Sequence, residues 1–139
     1  MAPFRLRIPR PIHEEMLARA VAARPLECCG LLAGTVAAGV GEVRAIFPLV
    51  NELHSATEFV SEPRSLFAAM KAMRADGVDV LAVYHSHPAS APVPSRLDRE
   101  RNYSEAVVNL IVGFPDGEPE VRGWWLSETD AREAEWTVS

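Results

Sequence analysis

Two histidines one residue apart, His85 and His87, end an apolar run, and Ser95 and Asp98 follow after a gap of seven residues. Residues two apart on a strand share a face, so a strand over Val78–Tyr84 would present both imidazoles side by side as a chelating pair. Between Pro88 and Pro94 the chain holds three prolines, which exclude regular structure and let it turn back. Asp98 could then offer a carboxylate oxygen as third ligand. Two histidines and one carboxylate leave a fourth tetrahedral position for water, the pattern of a catalytic zinc site rather than a closed structural one. The plainer alternative is an incidental histidine pair beside a helix cap, because Ser95-x-x-Asp98 also has the outline of a capping box.

These residues need a scaffold, and the hydrophobic pattern supplies one. Arg5 to Ile8 alternates polar and apolar, as a short strand does. From Ile12, the apolar Met16, Leu17, Ala20 and Val21 recur at helical spacing between Pro11 and Pro25. Cys28 to Val36 has the composition of a strand covered on both faces, although periodicity alone does not separate it from a buried helix. Gly39 and Gly41 mark a turn to a partner strand over Val43–Val50, and a polar connection, Asn51–Glu58, leads to a short strand expected around Phe59. A second helix opens at Ser61 and Pro63, carries Leu66, Phe67, Met70 and Met73 on one face and ends at Asp76-Gly77. Val78–Tyr84 is a buried strand, Val107–Phe114 and Glu120–Leu126 are strands joined at Pro115-Asp116-Gly117, and Glu133–Val138 adds an edge strand. With no repeat or linker, this order implies a single domain over residues 1–139 of mixed α/β (α+β) class, one mixed sheet flanked by helices.

The order His-x-His, seven residues, Ser-x-x-Asp resembles the signature of the JAMM (MPN-plus) zinc metallopeptidases, in their small standalone prokaryotic form. Upstream, Pro25-Leu26-Glu27-Cys28-Cys29-Gly30-Leu31-Leu32-Ala33-Gly34 is similar, position by position, to that family's Pro-x-Glu-x-Cys-Gly-x-Leu-x-Gly run. Without the resemblance Glu52, Glu58 and Glu62 compete equally with Glu27 for an acid–base role; the resemblance selects Glu27. By element order it extends from about Ile12 to Phe114, and the last 25 residues carry no motif. It implies an MPN/JAMM-like fold of cytidine-deaminase-like type and one zinc ion per chain on His85, His87 and Asp98. Glu27 would be the general base, and the Ser95 hydroxyl would help hold the oxyanion. The implied activity is that of a deubiquitinase-like isopeptidase, hydrolysing an amide bond at the C-terminal tail of a ubiquitin-like or sulfur-carrier protein.

Composition narrows the alternatives. The 139 residues fit one domain, and 48% hydrophobic with 24% charged residues is ordinary globular usage. Fourteen Lys and Arg against nineteen Asp and Glu give a net charge of -5 without a basic run, so nucleic acid and acidic membranes are not expected partners. The two cysteines, Cys28 and Cys29, are adjacent, offer no spaced disulfide framework, and read as small core residues suited to a reducing cytoplasm. The uncharged stretch from Cys28 to Gly41 is shorter than the roughly 20 residues of a membrane helix, and no secretory signal precedes Arg10. Two other functions compete: a non-catalytic scaffold of MPN type, and a RadC-like protein, whose motif text resembles His87-Pro88-Ala89-Ser90 and Pro94-Ser95. A deaminase-type zinc enzyme would need a Pro-Cys-x-x-Cys element that this chain lacks. His13 and His54 read as surface residues, Asn51 and Ser61 as groove lining, and Trp124, Trp125 and Trp136 as packing or a tail-binding surface. A substrate tail is expected to lie along an exposed strand or groove. The sequence leaves the oligomeric state open.

Overall fold

A computed structural model describes residues 3–139. In chain order the elements are β1 (Arg5–Ile8), α1 (Arg10–Ala23), β2 (Cys29–Ala37), β3 (Val40–Leu49), α2 (Pro63–Asp76), β4 (Asp79–His87) and α3 (Arg96–Glu100). They continue with β5 (Val108–Gly113), β6 (Glu120–Leu126), β7 (Ala131–Glu133) and β8 (Trp136–Val138). All eight strands join one mixed sheet in the order β7-β6-β5-β4-β2-β3-β1-β8. Strand β2 is antiparallel to both β3 and β4, while β4 and β5 run parallel. The expected class, a mixed sheet with helices on its faces, is the one observed.

Successive residues of a strand point to opposite faces, and the two helices cover one face each. On the first face, Met16 and Ala20 of α1 pack with Leu6, Ile8, Leu32, Tyr84 and Leu110, none more than 1% exposed. On the second, Ala69 and Met73 of α2 pack with Leu31, Ala33, Val83 and Val107. Strand β2 is therefore covered on both sides and buried from Cys29 to Gly34. At Gly34 the ladder to β3 shifts register, and a Cβ there would lie 1.8 Å from the Glu42 carbonyl oxygen. Only glycine allows that approach.

Four expectations are corrected. Phe67 is 72% exposed, because the buried stripe of α2 runs through Leu66, Ala69, Met70 and Met73, and Phe67 lies one step round the helix from it. Val21 of α1 is half exposed for the same reason, one step from the buried Ala20. No strand forms around Phe59, where only an isolated bridge joins Asn51 to Ser61. There the Asn51 side chain takes a strand's place, accepting from Leu53 and Val60 N–H groups and donating to the Glu58 carbonyl.

The expected Glu133–Val138 edge strand is instead two strands at opposite ends of the sheet. β7 pairs with β6, β8 pairs in parallel with β1, and two residues, Ala134 and Glu135, join them. Ala134 N–H bonds to the Gly123 carbonyl at 2.9 Å and Leu6 N–H to the Glu135 carbonyl at 3.0 Å. The sheet curls until its two ends are fastened by the same short segment. Among the described residues, no helix is long and apolar enough to cross a membrane.

Candidate metal centre

Three rungs of the sheet build the site on the α2 face. Leu31, Val83 and Asn109 pair across β2, β4 and β5 on one rung, and Cys29, His85 and Ile111 on the next. Carried two residues further, the antiparallel register of β2 and β4 aligns Glu27 with His87, which pairs with Gly113 on its other side. Hydrogen bonds extend the ladder that far: Ser86 N–H donates to the Cys28 carbonyl at 3.1 Å, and Cys28 N–H donates to Ser86 Oγ at 2.9 Å.

His85, His87 and Asp98 come together as a group able to hold a metal ion, each offering one ligand atom within 4.8 Å of the others. His85 Nε2 lies 3.2 Å from His87 Nε2 and 3.2 Å from Asp98 Oδ1, and His87 Nε2 lies 3.2 Å from Asp98 Oδ2. His87 Nδ1 is 3.0 Å from the Ala91 carbonyl oxygen. A carbonyl only accepts, so Nδ1 carries a proton, and when the ring is neutral the Nε2 lone pair faces the cluster. Lone pairs of a second imidazole and a carboxylate converge on the same point, which favours a positive charge between them, whether proton or metal ion. Ligand atoms 2.0–2.1 Å from a tetrahedral zinc lie about 3.3 Å apart, close to the observed separations. The donor set therefore fits zinc in both chemistry and spacing.

The protonation behaviour follows the same logic. Burial alone would raise the Asp98 carboxyl, but hydrogen bonds from His85 and His87 hold it well below the usual carboxylate range. Burial would lower His87, and its bonds to Asp98 and the Ala91 carbonyl, with the charges of Asp98 and Glu27, raise it instead. Glu27 is 6% exposed, and burial pushes its carboxyl up to about 7, with His87 opposing and Asp98 and Glu58 adding to the rise. The other candidate glutamates are capping, ion-paired or exposed. Glu62 caps α2, accepting from Ser65 N–H, Glu58 pairs with Arg101 at 3.4 Å, and Glu52 lies at the surface.

The capping-box reading of Ser95-x-x-Asp98 is realised, and it leaves Asp98 within the cluster. Ser95 Oγ accepts from Asp98 N–H at 3.1 Å, and Asp98 Oδ2 accepts from Ser95 N–H at 2.9 Å, a complete capping box. The cap holds the Asp98 carboxylate in place, and the same Oδ2 faces His87. Ser95 Oγ accepts in that bond, which leaves its hydroxyl proton free to donate. His54 is exposed in the connecting loop, and His13 stacks on Trp136 at 5.7 Å on the far face.

Several supporting residues were not legible from the motif. Trp124 Nε1–H donates to the Pro92 carbonyl at 3.0 Å, and Phe114 N–H to the Ser90 carbonyl at 2.8 Å. Both pin the proline loop whose Ala91 carbonyl orients His87. Gly113 permits this, since a Cβ there would lie 2.4 Å from the Pro92 nitrogen. Of the other tryptophans, Trp125 packs edge-on against Phe4, so all three serve packing or pinning here. Asn51 Nδ2–H donates to the Glu27 carbonyl at 3.2 Å, Glu27 N–H bonds to the Ser55 carbonyl, and Phe59 stacks on His85 at 4.6 Å. Asn51 thus fixes the backbone of Glu27, while Ser61 lines a cavity of about 250 Å³ that opens beside His85 and Asp98.

Compared with known families, residues 9–135 match the model of prokaryotic homologues of the JAB domain. A probable TtuB-protein conjugate cleaving protease of Thermus thermophilus is 37% identical over 67% of this chain and 60% of that protein. A desampylase of Haloferax volcanii is 37% identical over 72% of this chain and 70% of that protein. The chain thus spans less than two thirds of the Thermus protein's length. A protein from Desulfitobacterium hafniense, solved in solution, superposes with a TM-score of 0.86 at 30% identity, covering 96% of this chain and 92% of that one.

Proposed function

Because this chain belongs to the prokaryotic JAB-domain family of JAMM type, we propose that it is a zinc-dependent isopeptidase. It would hydrolyse the amide bond at the C-terminal tail of a ubiquitin-like or sulfur-carrier protein. The observation that carries this reading is the triangle of 3.2 Å separations among His85, His87 and Asp98 beside a buried carboxyl, Glu27, that titrates near 7. Relatives that cleave TtuB conjugates and desampylases support the substrate class. The two free thiols fit a cytoplasmic setting, where they stay reduced.

His85, His87 and Asp98 would hold one zinc ion per chain. Zinc in such a site supplies a Lewis acid and lowers the pKa of its water to about 7. Glu27 takes the proton of the attacking water and returns it to the leaving amine. Burial raises the Glu27 carboxyl above the ordinary carboxylate range, which suits a group that must take a proton and give it back. The Ser95 hydroxyl donates to the developing oxyanion, and the burial of Glu27 keeps bulk water from competing for its proton. The Ala91 carbonyl and the Ser95 cap hold His87 and Asp98 in their ligating orientations.

Elemental analysis of the purified protein should find about one zinc per chain, lost in His87→Ala and Asp98→Ala. Glu27→Gln should keep the metal and lower turnover of a ubiquitin-like conjugate by about 10²–10⁴-fold. Failure to take up zinc at neutral pH, or wild-type turnover in Glu27→Gln, would overturn the reading.

A further inference from the structure

The two histidines of the cluster are supported unequally. His87 Nδ1 lies 3.0 Å from the Ala91 carbonyl oxygen, whereas His85 Nδ1 is buried and has no hydrogen-bond partner among the described residues. His85 Nε2 faces Asp98 and His87, so Nδ1 is directed away from the cluster. Phe59, stacked on the ring, holds its plane but not its rotation within that plane. A metal-ligating histidine nearly always donates its other ring N–H to an acceptor, and a donor buried without one costs stability.

An acceptor with the complementary need lines the same cavity. Asn109 of β5 is 5% exposed there. The Leu126 carbonyl only accepts, so Asn102 Nδ2–H donates to it, at 2.8 Å, and Asn102 Oδ1 accepts from Asn109 Nδ2–H at 3.0 Å. The direction of that chain leaves Asn109 Oδ1 as an acceptor with no donor among the described residues. Of the other polar side chains around the cavity, Glu58 pairs with Arg101, Asp98 faces the Nε2 side of the ring, and Thr57 and Ser61 sit on the connecting segment. Asn109 pairs with Val83, two residues before His85 on the same face. Strands about 4.8 Å apart, and two residues or about 6.6 Å along, place the two backbones about 8 Å apart. Ring and amide make no direct bond across that span, and one water closes it.

We infer that Asn109 is a positioning residue for His85, acting through one water in the cavity that accepts from His85 Nδ1–H and donates to Asn109 Oδ1. A cavity of about 250 Å³ has room for that water, and two polar partners hold it. The inference rests on the reading of His85 as a metal ligand, yet a crystal structure of the full chain tests it with or without zinc. A water within hydrogen-bond distance of both atoms is expected, and none there overturns the bridge. Asn109→Leu should lower zinc affinity by about 10–100-fold in competition with a chelator. Asn109→Asp keeps the acceptor but cannot donate to Asn102, so an affinity at or above wild type there assigns the loss to His85 rather than to the Asn102 loop. In proton NMR spectra of the zinc-loaded protein, the His85 Nδ1 proton should move upfield in Asn109→Leu, while the His87 Nδ1 proton, bonded to the Ala91 carbonyl, stays in place. Unchanged zinc affinity in Asn109→Leu, equal losses in the Leu and Asp variants, or equal movement of both protons overturns the role of Asn109. Wild-type protein that shows the bridging water but takes up no zinc would instead sink the metal reading and leave the bridge standing.

Discussion

On the α1 face of the sheet, Leu32, Tyr84 and Leu110 are fully buried in hydrocarbon, whereas their chain neighbours Leu31, Val83 and Asn109 line an open cavity that leads to the histidines. The same three strands build both surfaces, one residue out of phase. The α1 face is apolar except for Ser86 and the Tyr84 hydroxyl, and it holds the fold together. The α2 face is apolar only behind the site, and toward the end of β4 it gives way to His85, His87 and the buried Glu27. Stability and chemistry are thus divided by the alternation of the strand rather than by separate regions of the chain.

That division predicts variants with opposite signatures. Leu32→Ala, on the α1 face, should cost about 2–5 kcal/mol in denaturant unfolding while leaving zinc stoichiometry at its wild-type value. Loss of the metal in a still-folded Leu32→Ala protein would show that the two faces are coupled. A smaller effect is expected from Trp124→Phe, which keeps a smaller aromatic ring and removes the bond to the Pro92 carbonyl. With the loop carrying Ala91 loosened, zinc affinity should fall by about 10–100-fold in a competition with a chelator, as for other residues that orient a ligating histidine. An unchanged affinity would place the hold on His87 entirely in its own strand.

The smallest effect concerns pH in the metal-free protein. Glu27 titrates near 7 in the fold rather than at 4.5, so it binds its proton more tightly when folded. The penalty for ionising it is absent below about pH 4.5, grows up to pH 7 and is complete above. In the presence of a chelator, Glu27→Gln should therefore be more stable than wild type above pH 7, by about 1–2 kcal/mol, and no more stable at pH 4. Urea midpoints at the two pH values measure this directly, and equal differences at both would mean that Glu27 is not desolvated.

Local pattern carried much of this architecture. The strand and helix order, the burial of β2 on both faces and the capping box at Ser95 all follow from spacing within a few residues. What was not legible depends on partners distant in the chain. Nothing in Ala131–Val138 announces that its halves join strands at opposite ends of the sheet, because its partners lie in β6 and β1. Phe59 has strand composition, yet Asn51 supplies the hydrogen bonds a neighbouring strand would have given. The cluster itself was readable as a pattern, whereas the supports of Glu27 and His87 were not. Asn51 and Trp124 act through backbone carbonyls, which leave no mark on the residues they hold.

The parallel pairing of β1 with β8 has a consequence in time. Leu6 meets Trp136, and Ile8 meets Val138, so one edge of the first strand waits for a partner about 130 residues further along. During synthesis, β2, β3, α2 and β4 can assemble while that edge of β1 still shows unpaired amides and carbonyls. Such an edge invites pairing with another nascent chain until the last strand emerges. Closing the sheet is a long-range step, late and slow by the usual relation between contact separation and folding rate. It is also the step in which Arg10 N–H bonds to the Ser139 carbonyl, joining the start of α1 to residues translated at the other end of the chain.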